Sequence, residues 1–161
     1  MNTQTELAYI AGIVDGEGTI SLHGANRKVR KTGSAFYYPF VQIANTNKEL
    51  IDWLDNRIPI SHKIYAYKRN PEKQKPSYLI QIRGSYGVEF CKLVLPYLVC
   101  KKRQAEILLE YWEGAAAHNK SKRGYWNVNN PMPQEVAELR HKLYSECRKL
   151  NAKGPIKVEE I

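Results

Sequence analysis

The spacing of apolar positions switches from helical to alternating near residue 18. Leu7, Ile10 and Val14 fall on one helical stripe, behind a Thr3-Gln4-Thr5-Glu6 capping box. The helix should stop near Gly16 or Gly18, because glycine is the usual residue just past a helix end. Ile20 and Leu22 then alternate with Thr19, Ser21 and His23, a strand pattern. A second strand runs from about Phe36 to Asn45, and Thr46-Asn47-Lys48-Glu49 reads as a capping box. The helix it opens carries Leu50, Ile51, Trp53 and Leu54 and is ended by Pro59. Two more strands, Lys63 to Arg69 and Ser77 to Arg83, are followed by a helix from Ser85 with Val88, Phe90, Cys91, Val94 and Leu95. Pro96 ends or kinks that helix. Another spans Lys101 to Ala117 with Ala105, Leu108, Leu109 and Trp112. Pro131 can open a last helix through Val136, Leu139, Leu143 and Leu150, closed by Gly154-Pro155. The order α-β-β-α-β-β-α-α plus a C-terminal helix predicts an α+β domain on a four-stranded antiparallel sheet. Residues 1–118 form its core, with a basic loop and helix at 119–161 appended to the same domain.

Alternation also predicts what the sheet shows to solvent. With Ile20, Leu22, Val41, Ile43, Ile64, Ala66, Tyr78, Ile80 and Ile82 inward, the outward set is Thr19, Ser21, His23, Tyr38, Phe40, Gln42, Lys63, Tyr65, Tyr67, Arg69, Ser77, Leu79, Gln81 and Arg83. The loops flanking these strands add Arg27, Lys28, Arg30, Lys31, Lys68, Lys73 and Lys75. Residues 19 to 84 hold 12 Lys or Arg against 4 Asp or Glu, so nearly all of the +9 net charge lies here. A plain solvated face mixes both signs. Arg, Lys, Gln and Tyr on one face suit phosphates and base edges, so the face predicts a nucleic-acid partner, and by itself does not separate DNA from RNA. Three cysteines without metal-ligand spacing read as reduced thiols. No leader pattern and no long apolar run is present, which points to an intracellular protein with no membrane partner.

The first helix carries the chemistry. Ala8, Gly12 and Gly16, four residues apart, leave one stripe almost bare. Two glycines on one helical face cost about 1 kcal/mol each relative to alanine, so something must approach closely. Asp15 and Glu17 sit at the helix end, where unpaired carbonyls already favour a cation. The run Ile10-Ala11-Gly12-Ile13-Val14-Asp15-Gly16-Glu17-Gly18 resembles the LAGLIDADG motif of homing endonucleases, and the order of elements resembles that family along residues 3 to about 117.

The resemblance implies a site-specific endonuclease cutting a long double-stranded DNA site with Mg²⁺ (Mn²⁺ or Ca²⁺ in its place), leaving 5′-phosphate and 3′-OH ends. Glu17 and the Gly16 carbonyl would hold the metal, Lys101 would polarise the attacking water or steady the anionic phosphorus, and Asn45 would orient solvent. Asp15 would serve capping and interface structure. Glu49 departs from relatives that carry a basic group there. The motif occurs once, so the resemblance implies the homodimeric class, with Ala8, Gly12, Asp15 and Gly16 at the seam and a partly palindromic site. It would act where the DNA is, in cytoplasm, nucleoid or organelle. A maturase gripping intron RNA and a non-catalytic DNA-binding regulator are the alternatives, and Tyr125 and Trp126 in the C-terminal segment would add a flanking contact or cover the core.

Overall fold

Thr3 caps the first helix with the expected reciprocal bonds. Its Oγ1 accepts from Glu6 N at 3.2 Å, while its own N–H donates to Glu6 Oε2 at 2.9 Å. The computed structural model describes residues 3–24, 37–67, 75–118 and 132–152. The expected contacts Arg27, Lys28, Arg30, Lys31, Lys68, Arg69 and Lys73, together with Tyr125, Trp126, Pro131 and the Gly154-Pro155 stop, lie outside the described residues.

The elements are α1 (Gln4–Glu17), β1 (Gly18–Gly24), β2 (Tyr37–Asn45), α2 (Lys48–Arg57), β3 (Lys63–Tyr67), β4 (Ser77–Arg83), α3 (Ser85–Val94), α4 (Lys102–His118) and α5 (Gln134–Leu150). A 3₁₀ turn at Leu95–Tyr97 carries Pro96. The strands form one antiparallel sheet ordered β1-β2-β4-β3. Gly18 pairs with Ile43, Gln42 with Gln81, and Ile64 with Ile80. Helices cover one face, burying Ile20, Leu22, Val41, Ile43, Ile80 and Ile82 against Ile10, Val14, Leu54, Phe90 and Leu108. The other face stays open, the arrangement an antiparallel sheet permits.

Several local expectations change. The N-cap of α2 is Asn47, accepting from Leu50 N at 3.2 Å, instead of Thr46. Asn45 Oδ1 accepts from Asn47 N at 2.8 Å and presets that cap. Gly18 follows α1 with φ −87°, so no left-handed turn ends the helix. It is glycine for room, since a Cβ there would sit 2.7 Å from the Val14 carbonyl oxygen. Inward-facing Ile64 is 40 % exposed, because the helices do not reach β3.

Helix α5 starts at Gln134 and buries Val136, Arg140, Leu143 and Cys147, leaving Leu139 and Leu150 on the surface. Its Tyr144 ring stacks on Tyr37 at 4.2 Å, and Asn151 Nδ2, just beyond it, donates to the Ile20 carbonyl at 2.8 Å. That bond covers part of the free edge of β1, a place where an unpaired strand is otherwise a liability. Arg103 ties α4 to α5 through Glu146 at 2.8 Å. The cysteines are free, and burial pushes the Cys91 thiol up to about 12. Leu143→Ala is expected to cost about 2–4 kcal/mol in urea unfolding. Leu139→Ala, one turn earlier on the same helix but half-exposed, should cost far less, about 1 kcal/mol or below.

Candidate nucleic-acid interface and catalytic helix end

The end of α1 is held by a segment far away in sequence. Asp15 Oδ2 accepts from Val99 N at 2.7 Å and Oδ1 from Lys101 N at 2.9 Å. Lys101 Nζ donates to the Asp15 carbonyl oxygen. No basic residue lies in the last turn of α1, so the Lys101 ammonium supplies the positive charge its carbonyl end attracts. Both Asp15 oxygens are engaged in backbone bonds, which gives that carboxylate structural work. Glu17, two residues on, is exposed. Because Gly18 pairs with Ile43, Asn45 lies just beyond the start of β1, where α1 joins the sheet. Its side-chain oxygen makes the turn bond to Asn47.

One exposed carboxylate beside backbone carbonyls is a hard oxygen donor set, the kind Mg²⁺ takes together with substrate phosphates and water. Among the described residues no three Asp, Glu, His or Cys side chains converge. Ala8, Gly12 and Gly16 are exposed along α1, and a Cβ on either glycine would meet nothing within 4 Å. Tyr9 flanks this stripe at 55 % exposure, edge-on to Trp53 at 5.2 Å.

The open sheet face carries the outward set in the expected register. Thr19 lies across from Gln42, Ser21 from Phe40, His23 from Tyr38, Phe40 from Arg83, Lys63 from Gln81, and Tyr67 from Ser77. Tyr65 and Tyr67 on β3 are well exposed, as are Lys63, Lys75 and Arg83. Two members are not open to a ligand. Ser21 is buried and its Oγ donates to the Leu22 carbonyl at 3.3 Å. Phe40 is buried under His23, stacked at 3.9 Å, and Arg83, 5.6 Å from its ring.

Burial, and then the nearby Arg83 charge, hold the His23 imidazole below its usual range. Such a base binds fewer protons folded than unfolded, so its contribution is intact above the ordinary value of 6.5 and is lost as pH falls below it. His23→Gln should therefore flatten the fall in urea midpoint between about pH 7 and pH 5. Arg148 stands with Ser21, His23 and Asn151 around a cleft of about 460 Å³ at the β1 rim. Sequence reasoning missed that neighbourhood, since nothing local in α5 says which strand it will cover.

The fold is that of the LAGLIDADG homing endonucleases. No family model and no curated protein matches the sequence. Among solved structures, the homing endonuclease I-CvuI in complex with its target, in the presence of Ca, superposes with TM-score 0.67 at 16 % identity, over 96 % of this chain and 87 % of that one. The archaeal intron-encoded homing endonuclease I-Vdi141I, complexed with DNA, gives TM-score 0.67 at 19 % identity, over 95 % and 88 %. The larger LAGLIDADG homing endonuclease I-GzeII, with its DNA target, matches 88 % of this chain using 43 % of its own (TM-score 0.56, 14 % identity). Among the described residues no helix is long and apolar enough to cross a membrane.

Proposed function

We propose that this protein is a site-specific DNA endonuclease that makes Mg²⁺-dependent double-strand breaks as a homodimer on a partly palindromic site. The observation that carries the reading is the exposed Glu17 carboxylate at the tip of a bare helical stripe, two residues on from the Asp15 carbonyl to which Lys101 donates. The solved neighbours in DNA complexes support the same partner. Two copies meeting along Ala8, Gly12 and Gly16 would bring two Glu17 carboxylates close to the dyad, each facing one strand of the duplex. Glu17 and the Gly16 carbonyl would hold a divalent ion, which when bound would supply an activated water and charge neutralisation at phosphorus. Asp15 holds Lys101 at the helix end, from which its ammonium would steady the negative charge that builds on the phosphoryl oxygens. Asn45 would orient solvent through the amide nitrogen its turn bond leaves over. The sheet face and its basic loops would grip the flanking half-sites, with Thr19, His23, Tyr38, Gln42, Lys63, Gln81 and Arg83 over base edges. The products carry 5′-phosphate and 3′-OH ends, and the protein acts in whatever compartment holds the DNA.

Exposed Tyr65 and Tyr67 also suit stacking on unpaired bases, which favours an RNA-binding splicing cofactor as the second reading. Incubation with DNA spanning the protein's own insertion locus, with Mg²⁺ and with EDTA, separates the readings. Metal-dependent linear product supports the nuclease. Shifted but uncut DNA points to a regulator, and restored intron splicing without cleavage points to a maturase.

A further inference from the structure

The open face holds a hydrogen-bonded row whose direction is set from one end. Arg83 Nη2 donates to Gln81 Oε1 at 2.6 Å, and Gln81 Nε2 donates to Gln42 Oε1 at 3.1 Å. A guanidinium has donors and no acceptor, so the Gln81 oxygen must face Arg83. That choice turns the Gln81 amide nitrogen toward Gln42, which in turn must present its own oxygen to Gln81. Amide orientation is ordinarily ambiguous, and here the arginine at the end of the row resolves it. Arg83 is also held over the Phe40 ring, itself stacked on His23, so the anchor of the row is fixed before any ligand arrives. Lys63, across from Gln81 on β3, is a further side chain with donors alone.

Independent glutamines recognise adenine, because one amide can accept from N6 while donating to N7. In this row both glutamine oxygens are turned sideways into neighbouring side chains, and N–H groups are what remain for a ligand. Guanine is the base whose major-groove edge offers two adjacent acceptors, N7 and O6. We infer that Gln42, Gln81 and Arg83 act as one unit that selects guanine in the major groove, and that Gln81 sets the preference of Gln42 through their shared hydrogen bond. The inference rests on the reading of this face as a DNA-contacting surface and names the base class it takes.

Gln81→Glu tests the coupling, because a carboxylate accepts from both sides. Arg83 keeps its partner, while the Gln42 amide must turn over to donate to the new carboxylate, sending its own oxygen outward. Binding selection from a randomised duplex library should return guanine at the positions assigned to Arg83 and Gln42 by the loss of preference in Arg83→Ala and Gln42→Ala. In Gln81→Glu the guanine preference at the Gln42 position should fall about tenfold in favour of cytosine or adenine, which carry an amino donor. The Arg83 position should keep guanine. Adenine at the Gln42 position in the wild type overturns the inference alone, as does an unaltered Gln42 position in Gln81→Glu. Folded wild-type protein that enriches no duplex at all overturns it together with the DNA-contact reading. Gln81→Ala, which cannot accept from either neighbour, should leave the Gln42 position without a strong preference, and retention of the wild-type pattern in that variant would also overturn the inference.

Discussion

Glu17→Gln protein is expected to bind target DNA about as tightly as the wild type and to cut it at least about 10³-fold more slowly. The substitution keeps shape and removes the carboxylate charge proposed to hold a divalent ion. Glu17 is exposed, and among the described residues no hydrogen bond or ion pair involves its carboxylate, so stability should be unchanged. Asp15, two residues earlier, makes the opposite case: its oxygens accept from Val99 N and Lys101 N, and its loss would act through the position of Lys101. Several kcal/mol of charge stabilisation from a bound ion convert to three or more decades at about 1.4 kcal/mol each. Single-turnover cleavage paired with a gel shift measures both quantities. Cleavage within tenfold of wild type would remove Glu17 from the chemistry.

The second large effect is expected at Gly12. An arginine there should leave the monomer folded, since a Cβ at Gly12 meets nothing within 4 Å and replacing a mid-helix glycine gains up to about 1 kcal/mol. In a symmetric pair the same substitution places two bulky like charges against each other at the seam. Association should weaken by about 10²-fold or more, and double-strand cleavage should fall with it. Sedimentation velocity, set beside a thermal melt, separates lost association from lost fold. A Gly12→Arg protein that still sediments as a dimer would place the contact between copies elsewhere.

Both effects depend on features that local pattern makes visible. Alternation along an antiparallel strand is a property of neighbouring residues, so Ile20 and Leu22 against Thr19 and His23 could be assigned to faces without knowing the partner strand. The same holds for the Thr3–Glu6 capping box and for the bare stripe at Ala8, Gly12 and Gly16. Helical stripes are less determinate. Leu139, Leu150 and Trp112 stand at helical spacing from the buried Leu143 and Leu108 and are nonetheless exposed, since how far the core reaches along and around a stripe is set by what packs on it and not by the period. Tertiary bonds were beyond reach altogether. The grip of Asp15 on Val99 and Lys101 spans more than eighty residues, and the Phe40 ring is buried only because two other strands bring His23 and Arg83 over it. Asn47 displaced Thr46 as the α2 cap because the Asn45 side chain takes its N–H, a competition between two good capping residues that composition does not decide.

In the proposed assembly two copies of this chain join at α1 and hold divalent ions between their Glu17 carboxylates. A crystal of the protein with its selected duplex and Mn²⁺, measured at a wavelength where manganese scatters anomalously, tests it most directly. Anomalous peaks are expected within bonding distance of Glu17 from both copies and of a phosphate oxygen, at the tip of a two-fold pair of α1 helices. Manganese bound elsewhere, or Glu17 facing away from the second copy with no phosphate near it, would rule out this assembly as the cleaving form.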